Sequence, residues 1–502
     1  MANGGIIGPV NNPTSTTATG VWQQEEQYEA RVTDTWPQRA LFTTKSARFN
    51  DDSSDYLNRT PSSATNQKTF TISMWVKRSE LGAGNGLILQ GVNSGNDDFS
   101  IYFNGSTDNL AIFSWASSSE QFTLATNRKF RDVSAWYHIV VAVDTTQGTA
   151  ANRVKLYING VQETSFATEN YPSQNINLEY NDTSALWVGR GYGGTTLDGY
   201  MTEVISVDGT ALTPTSFGVT NSDGVWTPIP YSGTFGTNGF KLQFENAAAL
   251  GTDSSPNGNT FTVNNLTSID QSTDYPVVNF ATANSLVVIG NTGQTYADGN
   301  LTFNASGTNW TATNSTIGAS QGKWYAEFKV VTLASSTGYG MVGITGTENI
   351  TNGNFISTEA NSVGTGLDYR GSAQTYLYSA GSSVQAAGVA FAAGAIIGLA
   401  VDMDNKKFYF SQNGTYLTVG GSVGNPTSGS TGTGALTIPA GIETFLFAVG
   451  GYSTSFKGTW NFGSPAYSIS SSNADGNGYG NFEYAVPSGY YALNTANLAE
   501  FG

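Results

Sequence analysis

Four aromatic side chains in this chain stand among small residues: Trp115 in AIFSWASSS, Tyr192 in GRGYGGTT, and Tyr376 and Tyr378 in QTYLYSAG. Small flanks leave a ring uncovered. An uncovered ring can stack on the apolar C–H face of a sugar while nearby amides or carboxylates supply a few oriented hydrogen bonds. These four are therefore the candidate glycan-binding residues. The means for covalent catalysis are sparse. There is no cysteine, and the single histidine, His138, lies inside the apolar run WYHIVVAVD. A hydroxyl nucleophile needs a general base within hydrogen-bond reach, and a histidine in the middle of a core strand is poorly placed to serve. His138 is expected to be a structural strand residue.

The elements that must position these rings read as β-strands, and one plan occurs twice. WYHIVVAVD (136–144) is followed by a polar turn and RVKLYINGV (153–161); AIIGLAVDMDNKKFYFSQNGTYL (395–417) repeats the order of apolar strand, Asp, turn, strand and Asn-Gly. Asn-Gly tolerates the positive φ of a tight hairpin turn, so each copy predicts consecutive antiparallel strands. FTISMWVKR (70–78) alternates Phe70, Ile72, Met74 and Val76 against Thr71, Ser73 and Lys77. GKWYAEFKVV (322–331) alternates Trp324, Ala326, Phe328 and Val330 against Tyr325, Glu327 and Lys329. The first set in each predicts a core face and the second an outward one. Trp75, Trp136, Trp187, Trp324 and Trp460 lie in strand runs and are expected to serve core or face packing. Turn signals at short intervals, without helical periodicity, predict an all-β chain of two tandem antiparallel β-sandwiches.

The expected domains are an extended N-terminal arm (1–39), a first sandwich (40–220), a linker with short strands (221–295), a second sandwich (296–470) and a C-terminal extension (471–502). Residues 420–436, GGSVGNPTSGSTGTGAL, are expected to be a mobile loop. Composition narrows the function classes. Charged residues make up 12% of the 502, about half the usual ~25%, while glycines number 60. With 21 Lys plus Arg and a net charge of −16, neither a phosphate backbone nor an anionic lipid surface is an expected partner. The absence of cysteine excludes a disulfide framework and thiolate zinc sites. No apolar run is long enough to cross a membrane, so no membrane insertion is expected. MANGGIIGPVNN lacks the basic and apolar regions of a signal peptide.

FTISMWVKR, WYHIVVAVD, RVKLYINGV and LDGYMTEVISVDGTALTPTSFG (197–218) together resemble the laminin-G-like, concanavalin A-like lectin fold. GKWYAEFKVV, GMVGIT, DMDNKKFYFSQNG and FLFAVGGYSTSFKGTWNFG resemble a SPRY domain, whose sandwich is of the same type. That shared type explains the repeated plan. The 197–218 string with residues 231–284, and the arm GGIIGP…TGVWQQEEQYEARVTDTWP, resemble appendage proteins of tailed bacteriophages of the marine type. The resemblance implies a virion structural protein: a short tail fibre or receptor-binding protein on the virion surface, trimeric, recognising host cell-surface glycan. The arm would join other virion proteins, with Ile6, Ile7, Trp22, Tyr28 and Trp36 as anchor residues. The alternative is a head decoration or fibre protein, or a tail adaptor, with a purely structural role. Laminin-G-like sandwiches often carry Ca²⁺ at one rim, which makes Asp97, Asp98, Asp108 and Asp198 its candidate ligands; no other cofactor is expected. Concanavalin-type glucanases carry a Glu-x-Asp-x-x-Glu strand. Here the nearest cluster, 179–182, lacks the spacing and the second Glu, so no enzyme is expected.

Overall fold

The computed structural model describes residues 43–502 apart from 83–84, 95–96, 307–308, 334–338, 347–352, 354, 369–373, 387–391 and 453–455. The arm, with Ile6, Ile7, Trp22, Tyr28 and Trp36, lies outside the described residues.

The first sandwich is two antiparallel sheets. One runs in the order Val161–Gln162, Val154–Ile158, Trp136–Asp144, Thr69–Arg78, Gly199–Asp208, Ser46–Phe49 and Gln271–Ser272, with Phe240–Leu242 also on Gly199–Asp208. The other runs Phe166–Asn170, Ser119–Lys129, Asn109–Ala116, Asp97–Asn104, Asn85–Ser94, Ala185–Val188, Tyr56–Arg59 and Thr262–Asn264. Phe70, Ile72, Met74 and Val76 meet Phe99, Ile101, Ile112 and Leu124 in the core, as the alternation requires. The expected linker carries short strands. It lends Phe240–Leu242, Thr262–Asn264 and Gln271–Ser272 to the two sheets.

The opposite face of the first sheet departs from expectation. Thr71, Ser73 and Lys77 are buried: residues 210–240 fold back over the first two, and residues 274–280 cover Lys77. Phe217 and Phe235 pack there on Val140, Ile205 and Val207, and Trp226 joins Trp75, Trp136 and Tyr200. His138 lies in this layer, stacked between Trp75 and Trp226. Trp226 Nε1 donates to His138 Nδ1 (2.9 Å), so Nε2 keeps the proton and faces Ser73 Oγ at 2.9 Å. Burial pushes its pKa down to about 3, and the ring stays neutral.

The second sandwich repeats the plan. Lys323–Leu333, Ile396–Asp402 and Lys407–Gln412 are neighbours in one sheet, and Trp310–Ala319, Phe445–Tyr452, Tyr339–Gly346 and Ser362–Asp368 lie in the other. Trp324, Ala326, Phe328 and Val330 face the core with Phe447 and Trp460. Tyr325 and Glu327, expected outward, are buried beneath the C-terminal extension. Glu327 accepts hydrogen bonds from Tyr484 N (2.8 Å), Glu483 N (3.0 Å) and Asn461 Nδ2 (3.1 Å). Tyr491–Ala492 then pairs with Lys323–Leu333, and the helix Thr495–Phe501 follows. The expected loop at 420–436 has structure as well. Thr418–Val419 pairs with Ser422–Val423, Asn425 caps the 3₁₀ turn Pro426–Thr431, and Tyr490 OH donates to Pro426 O (3.1 Å).

The sandwiches meet across a polar seam. Lys77 Nζ lies 2.9 Å from Asp274 Oδ2, with both side chains almost wholly buried. Trp136 Nε1 donates to Asp274 Oδ1 (2.9 Å), and Lys77 Nζ also donates to Asn279 Oδ1 (2.7 Å). Removing one partner of a buried pair strands the other charge, at a cost of about 3–5 kcal/mol, whereas neutralising both relieves most of that loss. Asp274→Ala should therefore lower unfolding free energy by about 3–5 kcal/mol in urea titration. Lys77→Met with Asp274→Asn should recover part of that loss.

Candidate functional site

The second sheet of the first sandwich leaves one face outside the core, and its register sets a row of side chains across it. Directly opposed residues share a face. The pairs Thr123–Phe113, Phe113–Ser100, Ser100–Gln90, Gln90–Trp187 and Trp187–Asn58 run across six strands, with Asp98 opposite Trp115 two residues along. Each alternates with core residues of its strand: Ile112, Phe99, Leu89, Leu186 and Leu57 point inward. Phe113, Trp115, Trp187, Tyr56 and Tyr102 are half-buried on this outer face.

A buried polar relay runs through the row. Asp98 Oδ2 accepts from Gln90 Nε2 (2.6 Å) and Ser100 Oγ (3.2 Å). Gln90 Oε1 in turn accepts from the backbone N–H of Tyr192 (2.6 Å). Tyr192 heads the loop that follows Ala185–Val188. Gly191 N donates to Thr195 O (2.8 Å) and Gly194 N to Gly191 O (3.0 Å), so the turn holds the Tyr192 ring 57% exposed beside the row. Arg190 lies over the rings of Tyr56 (4.5 Å) and Trp187 (5.5 Å). Its Nε is buried without a hydrogen-bond partner among the described residues. Burial, chiefly, raises the Asp98 pKa to about 6 despite the hydrogen bonds from Gln90 and Ser100. The result is a platform of rings around a carboxylate, an amide and a guanidinium.

The structure distributes the sequence candidates unevenly. Trp115 and Tyr192 both belong to this platform, although Trp115 lies in the strand Asn109–Ala116 rather than a loop. Tyr376 and Tyr378 lie in the strand Gln374–Ser379; Tyr378 is buried against Ile289, Met341, Phe355 and Ile356, and Tyr376 packs beside them. A buried ring offers no face to a ligand, so Tyr378 is a core residue. The four aspartates do not form one site. Asp108 pairs with Arg131 (2.9 Å) and Arg78 (3.4 Å), Asp98 belongs to the relay, and Asp97 accepts from Ser117 N. Asp198 instead converges with Asp51 and Glu80, one oxygen of each lying within 4.8 Å of the others. Trp187, Gln90 and Arg190, which complete the platform, were not among the sequence candidates. The signal for Trp187 was its place between Leu186 and Val188, which turns its ring away from the core.

A lectin-like sandwich with a ring-lined sheet face is the class that this geometry defines. Residues 51–216 match the family described as the concanavalin A-like lectin/glucanases superfamily. No curated protein matches the chain. The SPRY domain of human HERC1 is 15% identical with a TM-score of 0.27, over 36% of this chain and 96% of that one. Domain 4 of AbnA, an extracellular arabinanase from Geobacillus stearothermophilus solved with arabinotriose, is 21% identical (TM-score 0.23), over 30% of this chain and 64% of that one. The SAP-like pentraxin of Limulus polyphemus is 16% identical (TM-score 0.25), over 34% and 77% respectively.

Gln90→Ala removes the donor to Asp98 and the acceptor for Tyr192 N–H. It should cost about 1–3 kcal/mol in urea unfolding. The Asp98 midpoint in carboxyl ¹³C NMR titration should also move upward from about 6.

Proposed function

We propose that this chain is a glycan-binding protein whose first sandwich holds sugar on the outer face of its second sheet, without catalysing a reaction on it. The observation that carries the proposal is the convergence of Trp115, Trp187 and Tyr192 on the relay from Asp98 through Gln90. Each ring offers an apolar face on which a sugar unit can stack. Asp98 and Arg190 bring opposite charges to the hydroxyl edges, and the hydroxyls can both accept and donate.

In its finer form the protein is a virion appendage of a tailed bacteriophage. It acts as a short tail fibre or receptor-binding protein at the virion surface, trimeric, joined to other virion proteins by residues 1–39 and presenting the platform to host cell-surface glycan. The resemblance of the arm and of residues 197–218 to phage appendage proteins supports this form.

Purified protein should bind intact host cells, and mild periodate oxidation of the surface sugars should abolish binding. Trp187→Ala should weaken it at least tenfold, about 1.4 kcal/mol, with the thermal unfolding midpoint little changed. Deleting residues 1–37 should leave sugar binding intact while removing the protein from assembled particles. Binding that survives both oxidation and Trp187→Ala would refute the glycan platform.

A further inference from the structure

Three carboxylates meet where the first sandwich faces the second. Asp51 follows the strand Ser46–Phe49, Glu80 lies just beyond Thr69–Arg78, and Asp198 just precedes Gly199–Asp208. These strands are antiparallel neighbours with Phe49 opposite Gly199 and Gly199 opposite Arg78, so the register delivers the three residues to one edge. The approach is close. Gly199 has φ +154°, and a Cβ there would meet Lys77 O at 2.2 Å. One oxygen from each carboxylate lies within 4.8 Å of the other two.

Asp198 sets this group apart from an ordinary acidic surface. It is 8% exposed, and its Oδ1 is buried with no hydrogen-bond partner among the described residues. Nor does the neighbouring cation neutralise the group: Arg78 donates to Phe130 O (2.7 Å), pairs with Asp108 (3.4 Å) and lies over the Phe103 ring (4.7 Å). The second sandwich closes the far side. Asn300 Nδ2 donates to Ser79 O (2.8 Å) and Tyr200 OH to Gly299 O (2.9 Å). Asp298, bonded by Thr302 Oγ1 (2.6 Å) and Asn50 Nδ2 (3.2 Å), adds a fourth negative charge nearby.

We propose that Asp51, Glu80 and Asp198 bind a divalent cation of the hard, oxygen-seeking class, best fitted by Ca²⁺, and that this ion clamps the seam between the sandwiches. All the ligand atoms are carboxylate oxygens, which disfavours zinc and other nitrogen- or sulfur-seeking metals. Three side chains from three strand ends, completed by water, make an irregular shell that Ca²⁺ tolerates, while Mg²⁺ demands near-ideal octahedral geometry. The three carboxylates repel one another. Burial first, then Asp51, pushes Glu80 up to about 7, and burial holds Asp198 well above the usual carboxylate range. Asp52 and Asp298 act in the same direction on Asp198, and Arg78 opposes it at Glu80.

The test uses the full chain, stripped with EDTA, in thermal unfolding and calorimetric titration with CaCl₂ or MgCl₂. Expected are one Ca²⁺ per chain, a midpoint raised by several degrees and a weaker response to Mg²⁺. Amide exchange at residues 298–300 should slow on adding Ca²⁺. Asp198→Asn keeps the shape and removes the charge, and should abolish the response; should that variant not fold, Glu80→Gln serves the same purpose. No shift with Ca²⁺, or a shift that survives both substitutions, would overturn the site. An equal response to Mg²⁺ would overturn the assignment to Ca²⁺. Unchanged exchange at 298–300 would overturn the clamp.

Discussion

The buried pair of Lys77 and Asp274 is the constraint on which the arrangement of the two sandwiches depends. A lysine ammonium and a carboxylate are costly to remove from water, and they stay buried only where each has further partners. Here Trp136, Asn279 and the Phe280 carbonyl supply them. Lys77 comes from a central strand of the first sandwich, and Asp274 from the segment between the two. Just beyond it, Tyr275, Val278 and Phe280 pack with Tyr325, Tyr409 and Tyr490 of the second unit. The pair therefore fixes where the chain leaves one sandwich and enters the next. The joint thus combines an apolar cluster with a buried ion pair whose directed hydrogen bonds set its geometry. The carboxylate group at Asp198 lies along the same seam, on the edge reached by Gly299 and Asn300.

Both sandwiches use the same local device to place their strands. Asn159 and Gly160 have φ +49° and +81°, and Asn413 and Gly414 have +47° and +78°, as a tight hairpin requires. In each copy the asparagine Oδ1 accepts from a backbone N–H of the preceding strand, His138 at 2.8 Å and Ile396 at 2.9 Å. In each, a Cβ on the glycine would strike an aromatic ring at 2.6 Å, Trp226 in one and Tyr484 in the other. Those rings belong to segments that fold back over the sheet. The hairpin glycine is thus a turn residue and also the seat for the covering layer.

The strands, their inward faces and both Asn-Gly turns were legible in the sequence because two-residue periodicity and positive-φ chemistry are local. The covered outer faces were not. Thr71, Ser73 and Glu327 look solvent-facing in any alternating strand, and only a later segment, Phe217 to Phe235 or Phe482 to Tyr490, decides that they are buried. Tyr378 misled for a related reason: the small residues after it belong to a hairpin turn at Ala380 and Gly381 and leave its ring covered. Trp115 and Tyr192 were legible as uncovered rings, while the outward turn of Trp187 was hidden within an apolar run. Asp51, Glu80 and Asp198 are far apart in sequence and became neighbours through strand register alone.

The central claim is that sugar sits on the outer face of the second sheet, between Trp115 and Trp187. Its most direct test is a crystal structure of the full chain with an oligosaccharide chosen by glycan-array binding. The account predicts sugar rings stacked on those two side chains, with hydroxyls bonded to Asp98 or Arg190. Oligosaccharide bound on the second sandwich or in the seam, with the sheet face bare, would contradict it.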